Sequence, residues 1–146
     1  MSKQHLHLEI TGYAYLSMLE LFRQVCRCTL HSLMPERSDK VLLAVHELLI
    51  NSIEASKRLY GAEHMMPLTL RMMHIEKGLE ITVQDQAGGI PPEKIEAMTH
   101  TTFEEIIWNE RGRGLLLVQA LVDEWEYTRL PGGGSSFTIR VREEME

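Results

Sequence analysis

Apolar residues in this chain of 146 residues are spaced as in strands in some segments and as in helices in others. The order of these segments limits the possible folds more than any other feature of the sequence. Apolar and polar residues alternate from Leu6 to Ile10, which is the period of a strand with one buried face. Apolar residues then recur at helical spacing from about Ala14 to Leu33, and again in a segment that Ser38 is expected to cap and Gly61 to end. The N-terminal part of the chain is therefore predicted to be a strand followed by two helices.

The C-terminal part of the chain is richer in the strand pattern. Two apolar runs, Leu68–Ile75 and Leu79–Val83, are separated by a short turn, in which Gly78 is expected to take the positive φ that a tight hairpin needs. The further predicted elements are a short helix over residues 92–98, a loop over 99–113, a buried helix over 115–122, and strands over 126–130 and 137–141. This order predicts one domain over residues 1–146 of the α+β class, a two-layer α/β sandwich with helices on one face of a mixed, mostly antiparallel sheet.

Charge and cysteine usage argue against several classes of function. A formal net charge of -6 argues against a nucleic-acid-binding surface, which needs a basic stripe to neutralise phosphates. The two cysteines, Cys26 and Cys28, lie two residues apart in a predicted helix and point in different directions, so free thiols and a reducing, cytoplasmic environment are expected. No apolar stretch approaches the about 18 residues of a spanning helix, so membrane insertion is not expected.

Glu47 and Asn51 are one helical turn apart in the second predicted helix, so their side chains point the same way. The amide oxygen of Asn51 can ligate Mg²⁺, and the Glu47 carboxylate can take a proton from an attacking hydroxyl group. Taken alone, such a pair more often forms a solvated helix face than a functional site. The pair therefore counts as one candidate part of a larger site.

Asp85 follows an apolar strand and precedes Gly88 and Gly89, which places a carboxylate at a strand end where the backbone can come close to a ligand. Such a carboxylate can accept a hydrogen bond from the amino group of adenine. Without other evidence, an aspartate that caps a turn beside a flexible glycine pair is the more frequent arrangement.

A second glycine loop, Gly112-Arg113-Gly114, precedes a predicted apolar helix. This is the geometry of phosphate binding, because the aligned N–H groups and the dipole of the helix favour an anion, and Arg111 or Arg113 can add hydrogen bonds. A plain loop before a core helix is the common alternative. The segment Gly132–Ser136 can likewise reach the same phosphates or merely turn a hairpin.

The order of these candidate motifs along the chain resembles that in the GHKL or Bergerat-fold group of ATP-binding domains. This group includes the ATP-binding domains of DNA gyrase, a class of heat-shock chaperones, histidine kinases and MutL. The closest likeness is to the stand-alone anti-sigma-factor serine kinases of bacteria, of the RsbW and SpoIIAB type. The matching motifs are His46–Ala55, Asp85–Ile90, Arg111–Leu115 and Gly134–Phe137. In one departure, Ala87 replaces the first glycine of the usual Asp-x-Gly-x-Gly pattern, which is tolerated only if this position does not need positive φ.

By that resemblance, the cofactors are ATP and Mg²⁺, with Glu47 as the catalytic base, Asn51 as the Mg²⁺ ligand and Asp85 as the adenine contact. Residues 99–111 are expected to form a lid over the phosphates. The nucleotide-binding residues that the resemblance implies are Asn51, Asp85, Gly89, Ile90, Arg111, Gly112, Arg113, Gly114, Leu115 and Ser135.

The predicted activity is phosphoryl transfer from Mg-ATP to a serine or threonine hydroxyl of a partner protein. The resemblance implies that this partner is a STAS-domain anti-sigma antagonist, that a sigma factor or another regulator can be sequestered, and that the protein is a homodimer. The alternative is a nucleotide-gated binding module that captures a partner without transferring phosphate, and Ala87 keeps this alternative open. A sensor histidine kinase is disfavoured because only a short stretch precedes the helix that carries Glu47 and Asn51.

Overall fold

The computed structural model describes residues 5–87, 93, 95, 96 and 113–143. In these residues the strands are β1 (His7–Tyr13), β2 (Pro67–Ile75), β3 (Gly78–Asp85), β4 (Glu124–Arg129) and β5 (Ser135–Arg142). The long helices are α1 (Leu19–Leu33), which follows a short 3-10 turn, α2 (Ser38–Tyr60) and α3 (Arg113–Leu121). Of the short helix predicted over residues 92–98, the described residues Glu93, Ile95 and Glu96 are helical, and the rest of that prediction lies outside the described residues.

The strands form one sheet in the order β1-β2-β3-β5-β4. Every neighbouring pair runs antiparallel. The predicted α+β class is therefore confirmed, and the parallel component that a mixed sheet implies is not found among the described strands. Two of the four pairs, β2-β3 and β4-β5, are direct hairpins, whose strands must run antiparallel. The pairs β1-β2 and β3-β5 are antiparallel as well.

One face of the sheet carries the hydrophobic core. Leu70, Ile81 and Ile139 lie on three adjacent strands and are completely buried. The helices cover this face, with Phe22 of α1 and Val45 of α2 equally buried in the same cluster. The apolar side chains that recur every two residues along the strands thus pack in one layer against those that recur every 3.6 residues along the helices, as the sequence predicts.

The opposite face of the sheet carries polar pairs. The hydroxyl groups of Thr82 and Thr138, directly opposite each other on β3 and β5, are 2.9 Å apart. One row along, the guanidinium group of Arg140 donates to Glu80 at 2.9 Å and to Glu126 at 3.0 Å. Cross-strand pairs of this kind suit a solvated face, so the described helices and strands form two layers.

The beginning of α2 differs from the prediction. Arg37 is the N-cap residue and makes no side-chain cap hydrogen bond, so the assignment of Ser38 as the cap is wrong. The Ser38 hydroxyl group instead donates to the carbonyl oxygen of Pro35 at 3.2 Å, in the turn that precedes the helix. At the other end, Gly61 has a φ of 88° and is the C-cap, which confirms the predicted end of the helix.

Asp123 links the N-terminal end of α2 to β5. Its Oδ2 atom accepts hydrogen bonds from Nη1 of Arg37 and from the backbone N–H of Arg142, both at 2.7 Å. Partial burial raises the pKa of Asp123, but these hydrogen bonds and the charges of the two arginines together lower it by more, so its pKa lies below the ordinary value.

The lowered pKa of Asp123 predicts a pH-dependent contribution to stability. A carboxyl group whose pKa is lower in the folded chain stabilises the fold above its unfolded pKa of about 3.9, and this contribution is lost as the pH falls through the folded pKa. We therefore expect Asp123→Asn to lower the free energy of unfolding at neutral pH and to have a progressively smaller effect below about pH 4. Urea denaturation of both proteins across this range measures the difference, and a difference that does not vary with pH contradicts the assignment.

The turn between β2 and β3 also differs from the prediction. Lys77, not Gly78, takes the positive φ, with a value of 61°. Gly78 is needed for a different reason, because a Cβ atom at this position would lie 2.2 Å from the carbonyl oxygen of Val141 on β5. The glycine therefore allows the close approach of β5 rather than the turn.

Lys77 is thus a position where a glycine is expected to improve stability. A left-handed conformation costs a residue with a Cβ atom about 1–2 kcal/mol, and glycine avoids most of this cost. We expect Lys77→Gly to raise the free energy of unfolding by up to about 1 kcal/mol, and Gly78→Ala to lower it because the clash is with backbone. Chemical denaturation tests both, and a stable Gly78→Ala protein contradicts the close approach of β5.

Candidate active site

Asp85, the last residue of β3, is held by donors from three parts of the chain. Its Oδ2 atom accepts a hydrogen bond from the Ser52 hydroxyl of α2 at 2.5 Å. Its Oδ1 atom accepts from the Ser135 hydroxyl of β5 at 3.0 Å and from the backbone N–H of Ala87 at 2.9 Å. The side chain is buried, with 7% of the residue exposed, so these donors compensate for the loss of water around the carboxylate.

The sheet register explains this convergence. Asp85 and Ser135 are directly paired on β3 and β5, so their side chains lie on the same face of the sheet. α2 packs on β3 and brings Ser52 to that face. A serine on the neighbouring strand and a serine on the covering helix therefore fix the orientation of one carboxylate.

A small pocket opens beside this carboxylate. Its polar residues are Asn51, Ser52, Asp85 and Ser135, and its apolar walls include Leu48, Val83, Leu115 and Phe137. The enclosed volume is about 40 Å³, whereas pockets for small-molecule ligands typically measure about 300–1,000 Å³. A nucleotide bound against Asp85 must therefore extend beyond the described walls or spread them apart.

Glu47 and Asn51 lie beside the pocket on α2, both half-buried. Asn51 lines the pocket, and its Nδ2 atom is buried without a hydrogen-bond partner among the described residues. The carboxylate of Glu47 lies against Gly114 at the start of α3, where an added Cβ atom would be 2.3 Å from Oε2. The helix α2 thus carries one polar group towards the Asp85 pocket and another towards the N-terminal turn of α3.

Gly134 is a second place where the backbone comes close to the site. A Cβ atom there would lie 2.6 Å from the carbonyl oxygen of Asp85 and 2.9 Å from the side-chain oxygen of Gln86. The hairpin between β4 and β5 turns through Gly132 and Gly133, both with positive φ, and then passes directly over the end of β3. The segment therefore turns the hairpin, as one interpretation of the sequence predicts, and packs against the site; its contact with phosphates stays a prediction.

The described residues fit ATP and Mg²⁺. The Asp85 carboxylate has acceptor capacity for an amino group, since three donors occupy three of its about four lone-pair sites. The Asn51 amide can present its oxygen to a cation, while its Nδ2 donor, which has no partner among the described residues, is available to an acceptor of the ligand. The first turn of α3, where Gly114 has no side chain, can approach phosphate through its N–H groups.

Several predicted site residues have defined places. Asn51, Leu115 and Ser135 line the pocket with Asp85, and Gly114 lies against Glu47, so the structure brings six of the predicted residues together. Arg113 is the first residue of α3. The predicted residues Gly89, Ile90, Arg111 and Gly112, and the lid predicted over 99–111, lie outside the described residues.

Ala87, the departure from the usual second motif, is accommodated without a left-handed backbone. In the described part of the chain, Lys77 is the one residue other than glycine with positive φ. Ala87 is 3% exposed and donates its N–H to Asp85. The condition under which an alanine is tolerated at this position is therefore met.

Ser52 contacts the candidate site but is not among the residues that the sequence predicted there. It lies inside the quoted first motif, directly after Asn51, but on a helix one position away from the predicted polar face. Its position one helical turn after Leu48, on the buried face of α2, is the signal that points to a buried partner. Only the position of Asp85 on the packed sheet identifies that partner.

Two kinds of feature are absent from the described residues. None of the described helices is long and apolar enough to cross a membrane. No cluster of three or more histidine, cysteine, aspartate or glutamate side chains in that part of the chain is suited to hold a metal ion. A Mg²⁺ site that relies on Asn51 and nucleotide phosphates does not require such a cluster.

Comparison with known proteins identifies the family and the fold of this chain. The family model described as "Histidine kinase-like ATPase domain" matches residues 14–141. A chain in the crystal structure of the SiaB-SiaC complex from Pseudomonas aeruginosa superposes with a TM-score of 0.72 at 16% identity, covering 94% of this chain and 89% of that chain. At that identity, the likeness shows a shared fold.

A search of curated proteins gave no significant match. The match to the family model nevertheless spans the described elements from α1 to all but the last residue of β5, including the motifs around Glu47, Asp85 and Gly114. This protein therefore belongs to the family of histidine kinase-like ATPase domains.

Proposed function

We propose that this protein is a protein serine/threonine kinase that uses Mg-ATP and phosphorylates a STAS-domain anti-sigma antagonist. The observation that carries the proposal is the placement of Asn51 and Glu47 on α2, between the Asp85 pocket and the first turn of α3. This arrangement puts a carboxylate for the base, an amide for the metal and an acceptor for a purine within one site.

In the proposal, Asp85 selects the purine. Ser52 and Ser135 hold its carboxylate in one orientation, so an acceptor faces the pocket. Adenine carries an exocyclic amino donor, whereas guanine carries a carbonyl oxygen at the same ring position, which a carboxylate repels. Discrimination between a donor and an acceptor at a buried site is strong because the mismatched pair leaves polar groups unsatisfied.

Glu47 and the first turn of α3 act on the phosphoryl group. The attacking hydroxyl oxygen forms a bond to the γ-phosphorus, its proton passes to a Glu47 carboxylate oxygen, and the bond to the bridging oxygen breaks to release ADP with the electron pair. The N–H groups at the start of α3 bind phosphate oxygens. Asn51 would hold Mg²⁺, which supplies charge neutralisation at the phosphates when it is bound.

The proposed partner is a second protein. The SiaB-SiaC structure is a complex of two proteins, which favours partner binding for a chain of the same fold. Three proposals follow from the resemblance to anti-sigma-factor kinases: the STAS-domain substrate, sequestration of a sigma factor, and the homodimer. The cytoplasmic location is a proposal that rests on the two free cysteines. A nucleotide-gated binding module is the second candidate, although the accommodated Ala87 removes the feature that favoured it.

Transfer of phosphate from ATP labelled at the γ position tests the proposed function. The purified protein is incubated with Mg-ATP and STAS-domain proteins encoded near its gene, and the phosphorylated residue is located by mass spectrometry. We expect a phosphoserine or phosphothreonine on one of these proteins and no transfer without Mg²⁺. Normal ATP binding without transfer to any of them would favour the binding module instead.

A further inference from the structure

Gly114, the second residue of α3, has a backbone conformation that does not require glycine. Among the described glycines, positive φ occurs at Gly61, Gly132 and Gly133, and Gly114 is not one of them. It lies within the helix Arg113–Leu121, where glycine is less favourable than alanine by up to about 1 kcal/mol. Some contact outside the helix must therefore account for the missing side chain.

That contact is the side chain of Glu47. A Cβ atom on Gly114 would lie 2.3 Å from Oε2, 3.2 Å from Cδ and 3.6 Å from Cβ of Glu47, and these are the three nearest atoms. The first distance is far inside van der Waals contact. The carboxylate of Glu47 thus occupies the space that any side chain at position 114 would need.

An alanine at position 114 would displace the carboxylate rather than the helices. The crowded atom is at the end of a flexible side chain, which can rotate about its own bonds. The backbone of Gly114 is compatible with alanine, and in the described part of the chain the three atoms outside α3 that lie nearest to the added Cβ atom all belong to the Glu47 side chain. The expected result of the substitution is a folded protein in which the Glu47 carboxylate lies elsewhere.

We propose that Gly114 is a positioning residue that sets where the Glu47 carboxylate lies. This inference rests on the proposed function, in which Glu47 takes the proton of the attacking hydroxyl group. A general base must lie within about 2.6–3.2 Å of the group that it deprotonates, and misplacement by about 1 Å can cost about a hundredfold in rate. The turn of α3 that is proposed to bind phosphate therefore also places the base.

Kinetics of Gly114→Ala test this role. We expect kcat for phosphate transfer to fall by about tenfold to a hundredfold, with the Kd for Mg-ATP changed by less than about threefold and no loss of thermal stability. The matched control is Ala120→Gly on an exposed position of the same helix, which weakens the helix without touching Glu47. Equal losses of kcat in the two variants would overturn the proposal.

A double-mutant cycle with Glu47→Asp separates positioning from phosphate contact. The shorter side chain withdraws the carboxylate from Gly114, so Gly114→Ala should cost at least about fivefold less in kcat in the Glu47→Asp background than in the wild type. If Gly114 acts only by approaching phosphate, the effects of the two substitutions on kcat are additive as free energies, and Gly114→Ala raises the Kd for ATP. Additive effects with weakened ATP binding therefore overturn the proposal.

A third measurement is independent of any partner protein. The ¹³C chemical shift of the Glu47 carboxyl carbon, assigned by its loss in Glu47→Gln, reports the surroundings of this group in the nucleotide-free protein. We expect it to change in Gly114→Ala and to stay constant in Ala120→Gly. An unchanged ¹³C chemical shift in Gly114→Ala overturns the positioning role. If this chemical shift changes but the wild type transfers no phosphate, the positioning role is supported and the kinase activity is rejected.

Discussion

Asp85→Asn is expected to weaken the binding of Mg-ATP by about tenfold to a hundredfold or more. A hydrogen bond to a charged acceptor contributes about 1.5–3 kcal/mol, and an amide at position 85 offers one oxygen where the carboxylate offers two. The three donors from Ser52, Ser135 and Ala87 would then compete with the adenine amino group for that single acceptor. Isothermal titration calorimetry of both proteins with Mg-ATP measures the loss.

Asp123→Asn is the matched control for this experiment. It makes the same chemical change at a carboxylate that also accepts two hydrogen bonds, but Asp123 does not line the Asp85 pocket. At neutral pH and well below the melting temperature, we expect it to bind ATP like the wild type. Undiminished ATP binding by Asp85→Asn would mean that adenine is recognised elsewhere, and the proposed site would have to be abandoned.

Glu47→Gln is expected to lower the rate of phosphate transfer by about 10²–10⁴-fold while leaving the Kd for Mg-ATP nearly unchanged. General base catalysis contributes this range of rate enhancement, and glutamine has a similar shape but cannot accept the proton. Within the described residues, the Glu47 carboxylate makes no hydrogen bond or ion pair that holds the fold together, so the variant should fold normally. Single-turnover transfer at saturating ATP measures the chemical step directly.

Glu54→Gln provides the control for the loss of a negative charge on α2. Glu54 is exposed two turns further along the same helix and lies outside the Asp85 pocket. We expect its transfer rate to match that of the wild type. A different outcome is that the wild type transfers no phosphate and Glu47→Gln still binds the partner. The protein would then act as a binding module and not as a kinase.

The elements of the fold could be predicted from the chain alone because their signals are local. The helical spacing of apolar residues from Ser38 onwards predicted α2 to within a residue or two, and the alternation around Leu70 and Ile81 predicted β2 and β3. The same local geometry placed Glu47 and Asn51 on one side of α2, since residues four apart are always neighbours on a helix. Asp85 was likewise recognisable as a carboxylate at a strand end.

Details of turns and caps were less predictable because several residues compete for each position. Ser38 has the right chemistry for an N-cap, yet the chain places Arg37 there and uses its guanidinium to bind Asp123. In the β2-β3 turn, the close approach of β5 requires Gly78 within the strand, so Lys77 takes the left-handed conformation instead. In both places, a contact far away in the chain outweighed the local preference.

The positions of the helices and strands, and of the polar groups at their ends, are encoded locally in the chain, because they depend on periodicities of two and 3.6 residues. The packing of distant segments is what brings Ser52 and Ser135, 33 and 50 residues away from Asp85, to its carboxylate, and what makes Gly114 leave room for Glu47. The physical reason is that contacts between distant segments depend on how the sheet pairs and how α2 and α3 pack on it, and no short-range pattern encodes that packing.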